Sequence, residues 1–289
     1  TASLGAAEEN ILFAEVDLGV APRNIPPRTP AKYGVLSVKT EETEAYRSLM
    51  RPLPAREEDE LFFGAAQFSF DGWPDFAKQA RRVLTRGADQ GASFVCLPGI
   101  VRTSAEELAS VLSPSLAGEK CMAACAISGQ GGTSPGVVLF GADGAIASIP
   151  DGCYVPVDTP AGRIGAVFGD DGWNPEPIRC LMLEGAETVL WFGSYECERE
   201  RSVIEKISRT RASENRICLI VSLTGPARES WIVPPSGAIA ASALPGESQS
   251  IFALIRRSDC MGKTVVPGTN IVTGRLPEAY APLTAVRSF

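Results

Sequence analysis

Few residues in this chain could carry chemistry, and the missing types narrow the choice first. No histidine occurs anywhere, which removes histidine-bearing zinc sites and every serine–histidine or cysteine–histidine nucleophile system. Eight cysteines are scattered without a CxxC pair, so their spacing spells neither a metal site nor a dithiol redox motif. Asp170 and Asp171 stand side by side after an apolar run and could form a carboxylate pair for acid–base work. The same pair could instead cap the helix that follows, where negative charge is favourable. Cys153 is a nucleophile by type, but no basic residue close to it in sequence would depress its pKa. Thr1 could act as an N-terminal nucleophile, although it leads directly into an ordinary strand pattern. Gly129-Gln130-Gly131-Gly132 lacks the Lys-Ser/Thr and the helix of a phosphate loop and reads as a turn.

Composition sets the surroundings for these groups. Hydrophobic residues make up 45% of the 289 and charged residues 21%, enough apolar material to bury a sizeable core. The net charge of −7 comes without a long basic run, which argues against nucleic acid and anionic membranes as partners. No apolar stretch reaches the length of a bilayer span, and no signal peptide opens the chain. Cys96, Cys125 and Cys218 sit in apolar runs and read as small core hydrophobes of a reducing compartment, so the cytoplasm is the expected location. Nothing calls for a metal or a cofactor.

The elements that must position any site become regular only from Leu61 onward. Residues 11–18 read as one strand, a proline-rich stretch runs from Pro22 to Pro30, and 40–60 is a charged linker with room for a helical turn or two. The patterning then predicts strands at Leu61–Phe68 and Ser93–Leu97, with helices at Trp73–Gln90 and Ser104–Leu112. Strands near 121–127, 136–141, 145–149 and 163–168 follow, then a helix Pro175–Glu184 and a strand Thr188–Phe192. A charged helix Glu196–Asn215 leads to strands at 217–223, 230–233, 238–242 and 250–255. Alternating strands and helices with many late strands imply an α/β or α+β layered domain, sheet against sheet.

The two ends of the chain resemble each other. RTPAKYGVLS at 28–37 and RLPEAYAPLT at 275–284 match at a constant offset of 247, through Arg28/Arg275, Pro30/Pro277, Tyr33/Tyr280 and Leu36/Leu283. Upstream, Phe13-Ala14 corresponds to Phe252-Ala253 in the last strand. A shared strand–coil–Arg-x-Pro-x-x-Tyr order implies duplication. On that reading residues 1–40 are the C-terminal tail of a preceding module, 41–60 a linker, and 61–289 a second module with its own tail.

Several segments, in order, resemble the nitrilase (carbon–nitrogen hydrolase) superfamily. The stretch from Leu61 through Pro98 is similar to its opening strand, helix and second strand. DTPAGRIGAVFGDDGW (158–173) resembles the stretch that carries its nucleophile, and EPIRCLMLEGAE (176–187) the helix after it. RTRASENR (209–216) is similar to its Arg-Ala-x-Glu-Asn segment, PPSGAIAASA (234–243) to its late hairpin, and both tails to its usual ending. The resemblance implies an α+β fold, a four-layer α-β-β-α sandwich. It also implies pairing of two units through helices beside the active site, with tails crossing to the neighbour.

The family's chemistry does not carry over residue by residue. Its members use a glutamate base, a lysine that stabilises the oxyanion and an attacking cysteine thiolate. Where the glutamate should end Leu-Pro-Glu, Leu97-Pro98 is followed by Gly99; where the cysteine should follow its strand, Gly169 stands. The loop Ile149-Pro150-Asp151-Gly152, where the lysine should lie, contains none. Glycine relieves the strain of a nucleophile turn once function no longer demands it. The expectation is a triad-lacking, non-catalytic module in an oligomer with an intact nitrilase-like chain or module, from the same precursor or another. Asp170, Asp171 and Trp173 would then line a vestigial pocket. An active hydrolase using other residues, and a free-standing ligand-binding module, are the competing readings.

Overall fold

The computed structural model describes residues 28–118, 120–128, 135–194, 198–225 and 228–285. The expected strand at 11–18, Thr1 and the glycine turn at 129–132 lie outside them.

Two six-stranded sheets form the centre. The first has the order β12-β1-β2-β3-β4-β5, from Glu60–Gln67 (β1), Phe94–Arg102 (β2), Met122–Ser128 (β3), Gly136–Gly141 (β4), Gly144–Pro150 (β5) and Gln249–Arg256 (β12). The second has the order β11-β10-β9-β8-β7-β6, from Val157–Thr159 (β6), Gly162–Phe168 (β7), Thr188–Ser194 (β8), Cys218–Thr224 (β9), Ser230–Val233 (β10) and Ala241–Ser242 (β11). In each sheet three strands run parallel, β1-β2-β3 in one and β7-β8-β9 in the other, and antiparallel strands flank them.

The outer layers are helical. Gly72–Asp89 (α3) and Ala105–Leu112 (α4) cover the first sheet, while Pro175–Leu183 (α5) and Glu198–Asn215 (α6) cover the second. In α3 the buried residues Phe76, Ala77, Ala80, Leu84, Gly87 and Ala88 recur at helical spacing and make one apolar stripe. That helix stops at Gly91, whose φ of +77 is the left-handed conformation glycine adopts cheaply. The Ala92 N–H then reaches back to the Gly87 carbonyl at 2.9 Å. Between the sheets, inward residues such as Phe63, Phe94, Leu139, Ile164, Phe168, Leu190, Phe192 and Ile220 interdigitate as one core. The layers are therefore α-β-β-α, the expected α+β sandwich.

Before the first sheet, residues 41–60 carry two short helices, Glu44–Leu49 (α1) and Arg56–Asp59 (α2). Thr43 caps α1 by accepting from the Tyr46 N–H, and Ala45 is buried against the outer face of the second sheet. Two strands differ from their expected extents. The second continues to Arg102 instead of ending at Leu97, because three residues, Leu97 to Gly99, bulge out opposite Cys125 before pairing with β3 resumes at Ile100. The expected strand at 238–242 shrinks to Ala241–Ser242.

No helix among the described residues is long and apolar enough to cross a membrane. Six of the seven described cysteines are buried, and burial pushes up the thiols of Cys96, Cys125, Cys218, Cys180 and Cys260, the last two to about 12. They behave as core hydrophobes.

Candidate functional site

In a layered sheet of this kind the carboxyl ends of the parallel strands are where a site is built. Here those ends hold Gly99 in the β2 bulge and Gly169 just after β7, with loop 150–153 leaving β5. Gly169 and the loop thus sit at element ends, while Gly99 lies within β2, at its bulge.

Gly99 has φ +78, and the space a side chain would need is taken. A Cβ built there would lie 3.0 and 3.1 Å from Cε1 and Cζ of the Phe70 ring and 3.2 Å from Cγ2 of Thr224. The half-buried Phe70 ring sits in an aromatic cluster: it meets Phe76 edge-on at 4.9 Å, and Phe76 stacks on Trp73 at 6.0 Å. Thr224 ends β9 and donates to the Gly193 carbonyl at 3.2 Å. Aromatic packing has therefore filled the place above Leu97-Pro98. Phe70 had no part in the sequence argument, although the aromatic run Phe68, Phe70, Trp73 is its visible signal.

Gly169 is the opposite case. Its φ is +47, and a Cβ there would meet nothing within 4 Å. Its carbonyl accepts from the Trp191 indole N–H at 3.0 Å, which fixes the turn from the strand side. The same indole leaves no room for a side chain at Gly172, where a Cβ would come within 2.0 Å of the ring. The backbone of a tight strand-to-helix turn persists, without a nucleophile on it.

The aspartate pair lies in the single 3-10 turn Gly169–Gly172, and neither side chain caps α5, whose N-cap Asn174 makes no side-chain cap bond. Asp171 accepts instead from the Tyr154 hydroxyl at 2.7 Å. Burial and this carboxylate hold the Tyr154 phenol protonated far above its usual range. Asp170 is exposed, and Trp173 is half-buried, its carbonyl accepting from Arg211 at 2.7 Å. Asp151 in the loop has its carboxyl raised by burial and by Asp171, an effect that Lys32 opposes.

That lysine is a structural finding. Loop 150–153 has no lysine of its own, yet Lys32, from the segment before β1, lies on it. Its Nζ lies 6.0 Å from the Tyr154 ring centroid and so close to Gly152 that a Cβ there would sit 1.9 Å away. A basic group thus reaches Gly152 and the Tyr154 ring through the fold. Cys153 itself is half-buried, with its N–H donating to the Pro150 carbonyl at 3.1 Å. Sequence reasoning missed Lys32 because the 117 residues 33–149 separate it from the loop.

Tyr33, Tyr154 and Asp171 pack together, the two tyrosine rings stacked at 6.1 Å, with the exposed Lys32 and Asp151 beside them. Among the described residues the carboxylates beside the left-handed turn at Gly169 are Asp170, which is exposed, and Asp171, which Tyr154 holds. Among the described residues no group of histidine, cysteine or carboxylate side chains is arranged to hold a metal. The described clefts lie elsewhere; one of about 210 Å³ is lined by Gln67, Gln79, Arg82 and Arg86, between α3 and β12.

Comparison with known proteins places the architecture. No protein-family model and no curated protein sequence matches the chain. Solved structures do. A carbon–nitrogen hydrolase from Helicobacter pylori G27 is 17% identical, with a TM-score of 0.61 over 71% of this chain and 92% of its own. An amidase from Nesterenkonia sp. is 15% identical, with a TM-score of 0.62 over 80% of this chain and 98% of its own. Nit3 of Saccharomyces cerevisiae, a member of branch 10 of the nitrilase superfamily, is 17% identical, with a TM-score of 0.59 over 70% and 92%. The chain has the nitrilase-superfamily, carbon–nitrogen hydrolase fold.

Proposed function

We propose that this chain is a non-catalytic nitrilase-fold subunit or module that pairs with, and supports, an active carbon–nitrogen hydrolase acting on amide or nitrile bonds. The observation that carries this reading is the state of Gly99. Its side-chain space is closed by Phe70, which is itself braced by Phe76 and Trp73. A side chain there would have to push against the Phe70 ring, so the position is crowded as well as substituted. Gly169 adds the missing thiol on the other sheet. In the Nesterenkonia amidase, by contrast, fluoroacetamide leaves its acetamide moiety on an active-site cysteine.

The fold survives without the chemistry because the two rest on different residues. Both sheets, both helical layers and the inter-sheet core are complete among the described residues. A module of this kind supplies shape and surface to a neighbour, and the substrate pocket lies in the neighbour. The test is isolation of the assembled protein from its source. The reading expects a partner polypeptide or segment with an intact glutamate–lysine–cysteine set, at equal stoichiometry, and amide turnover only when it is present. Turnover by the unmodified chain alone would sink it.

A further inference from the structure

The cleft between α3 and β12, about 210 Å³, lies on the helix side of the first sheet. From α3 it is lined by Gln79, Arg82, Val83 and Arg86, whose spacing of three and four residues puts them on one helix face. From the strand side come the buried Phe68, at the end of β1, and Ser248 and Ser250. Side chains alternate along a strand, so Ser250 shares a side of β12 with Phe252, which packs on the α3 core, while Ile251 and Ala253 face the other sheet.

Four polar side chains lining this cleft have no partner. Among the described residues neither Arg82 nor Arg86 makes an ion pair or a hydrogen bond, and neither the Ser248 nor the Ser250 hydroxyl does. Arg81, by contrast, donates from Nε to the Val111 carbonyl at 3.2 Å. The carboxylate of Asp75, one turn before Gln79, is taken by the Gln79 amide at 3.0 Å and the Asp71 N–H at 3.1 Å. Arg82 and Arg86 thus stand one turn apart with nothing to neutralise them, and like charges at that spacing repel. A helix C-terminus suits a cation, which accounts for Arg86 in the last turn, but Arg82 lies a turn further in.

We infer that this cleft binds a small phosphate monoester. Arg82, Arg86 and the two serine hydroxyls take its phosphoryl group, and Phe68 and Val83 take its short carbon chain. A phosphoryl group carries three acceptor oxygens and close to two negative charges, which two guanidinium forks and two hydroxyls match. A carboxylate, with one charge and two oxygens, would leave one guanidinium unmatched. The volume admits the phosphoryl group and a few carbons; it falls below the roughly 300 Å³ from which drug-sized ligands are held, so a whole nucleotide is too large. The pairing proposed above is not needed for this site, and the two readings stand or fall separately.

Isothermal titration calorimetry of the full chain tests it, with glycerol 3-phosphate, inorganic phosphate, acetate and glycerol as probes. Glycerol 3-phosphate should bind saturably and at least tenfold more tightly than acetate or glycerol, and inorganic phosphate should compete with it. Its affinity should rise as the pH passes about 6, where the monoester gains its second charge while the arginines stay protonated. Arg82→Gln/Arg86→Gln should weaken binding at least tenfold, and Arg82→Lys/Arg86→Lys should recover part of that loss. Both arginines are exposed and glutamine is a good helix former, so the variant should remain folded, which circular dichroism checks. Ser248→Ala/Ser250→Ala, expected to weaken binding several-fold, keeps the test open if it does not. Arg81→Gln, beside the cleft but not lining it, should bind like the unmodified chain. Three results would each overturn the inference: no saturable binding of glycerol 3-phosphate, acetate binding as tightly, or a loss in Arg81→Gln equal to that in the double arginine variant.

Discussion

Adding one methyl group at each of the two glycines compares a repacked position with a vacated one. At Gly99 the φ of +78 costs an L-residue about 1–2 kcal/mol. The methyl would also stand 3.0 and 3.1 Å from Phe70 and 3.2 Å from Thr224, inside normal contact on two sides. Crowding of this kind in a well-packed region adds about 1–3 kcal/mol. Gly99→Ala should therefore cost about 2–5 kcal/mol, by these backbone and packing contributions together. At Gly169 the φ is +47 with nothing within 4 Å, so Gly169→Ala should cost only the backbone share, about 1–2 kcal/mol. Phe70→Ala separates the two contributions. In that background the cost of Gly99→Ala should fall toward the backbone share, a coupling of about 1–3 kcal/mol. Urea unfolding followed by tryptophan fluorescence measures all five proteins. Equal costs at the two glycines, together with additivity between Gly99→Ala and Phe70→Ala, would show that the ring does not fill the position.

Other outcomes follow from the same structure. Gly169→Cys should fold and still release no ammonia from simple amides, because residues that act as a catalytic unit give little when restored singly. Lys263 is buried and donates to the carbonyls of Asn215 and Arg216 at the end of α6, at 3.2 and 2.7 Å, so Lys263→Met should cost about 1–3 kcal/mol by stranding them. Burial lowers its ammonium from 10.5 to about 8; the folded state therefore disfavours the charge below pH 8 and gains stability as pH rises from 8 toward 10.5. The stability difference between the unmodified chain and Lys263→Met should widen over that interval, and a constant difference would contradict the assignment. Among the described thiols only Cys153 should react rapidly with a disulfide reagent under native conditions, which Cys153→Ser in a Cys197→Ser background checks by loss of the fast phase. Tyr154→Phe should cost about 1 kcal/mol by removing the bond to Asp171, read as a lower unfolding midpoint.

Element positions were legible because strand and helix periods are local. The stripe from Phe76 to Ala88 announces α3, and the run Gly162–Phe168 announces β7. Sheet against sheet followed from the order of such elements, whereas the four-layer sandwich, and the reading of Gly99, Gly169 and the loop 149–152 as positions without the triad, came from the resemblance to the nitrilase superfamily. What the sequence could not display depends on chain returning from afar. Nothing local says that Phe70 folds back onto Gly99, or that Lys32 reaches the loop at Gly152. The aspartates looked like caps because their spacing to α5 allows it; Tyr154 takes Asp171 instead, through a contact 17 residues apart. Arg216 shows a third limit: it takes φ +51 at the end of α6, a place where glycine would be expected. Its side chain is held by the Gly262 carbonyl at 3.1 Å, a tertiary contact that offsets the strain. The matching tails were visible in sequence, but only the fold shows that Tyr33 and Leu36 of one are buried while Tyr280 and Leu283 of the other are more exposed.

The claim at the centre is that this nitrilase fold has no chemistry of its own, and ammonia release from simple amides by the purified, folded chain tests it most directly. The account predicts a rate equal to that of a heat-denatured control for every amide tried. Saturable release that follows the amount of chain, and persists after repurification, would contradict it.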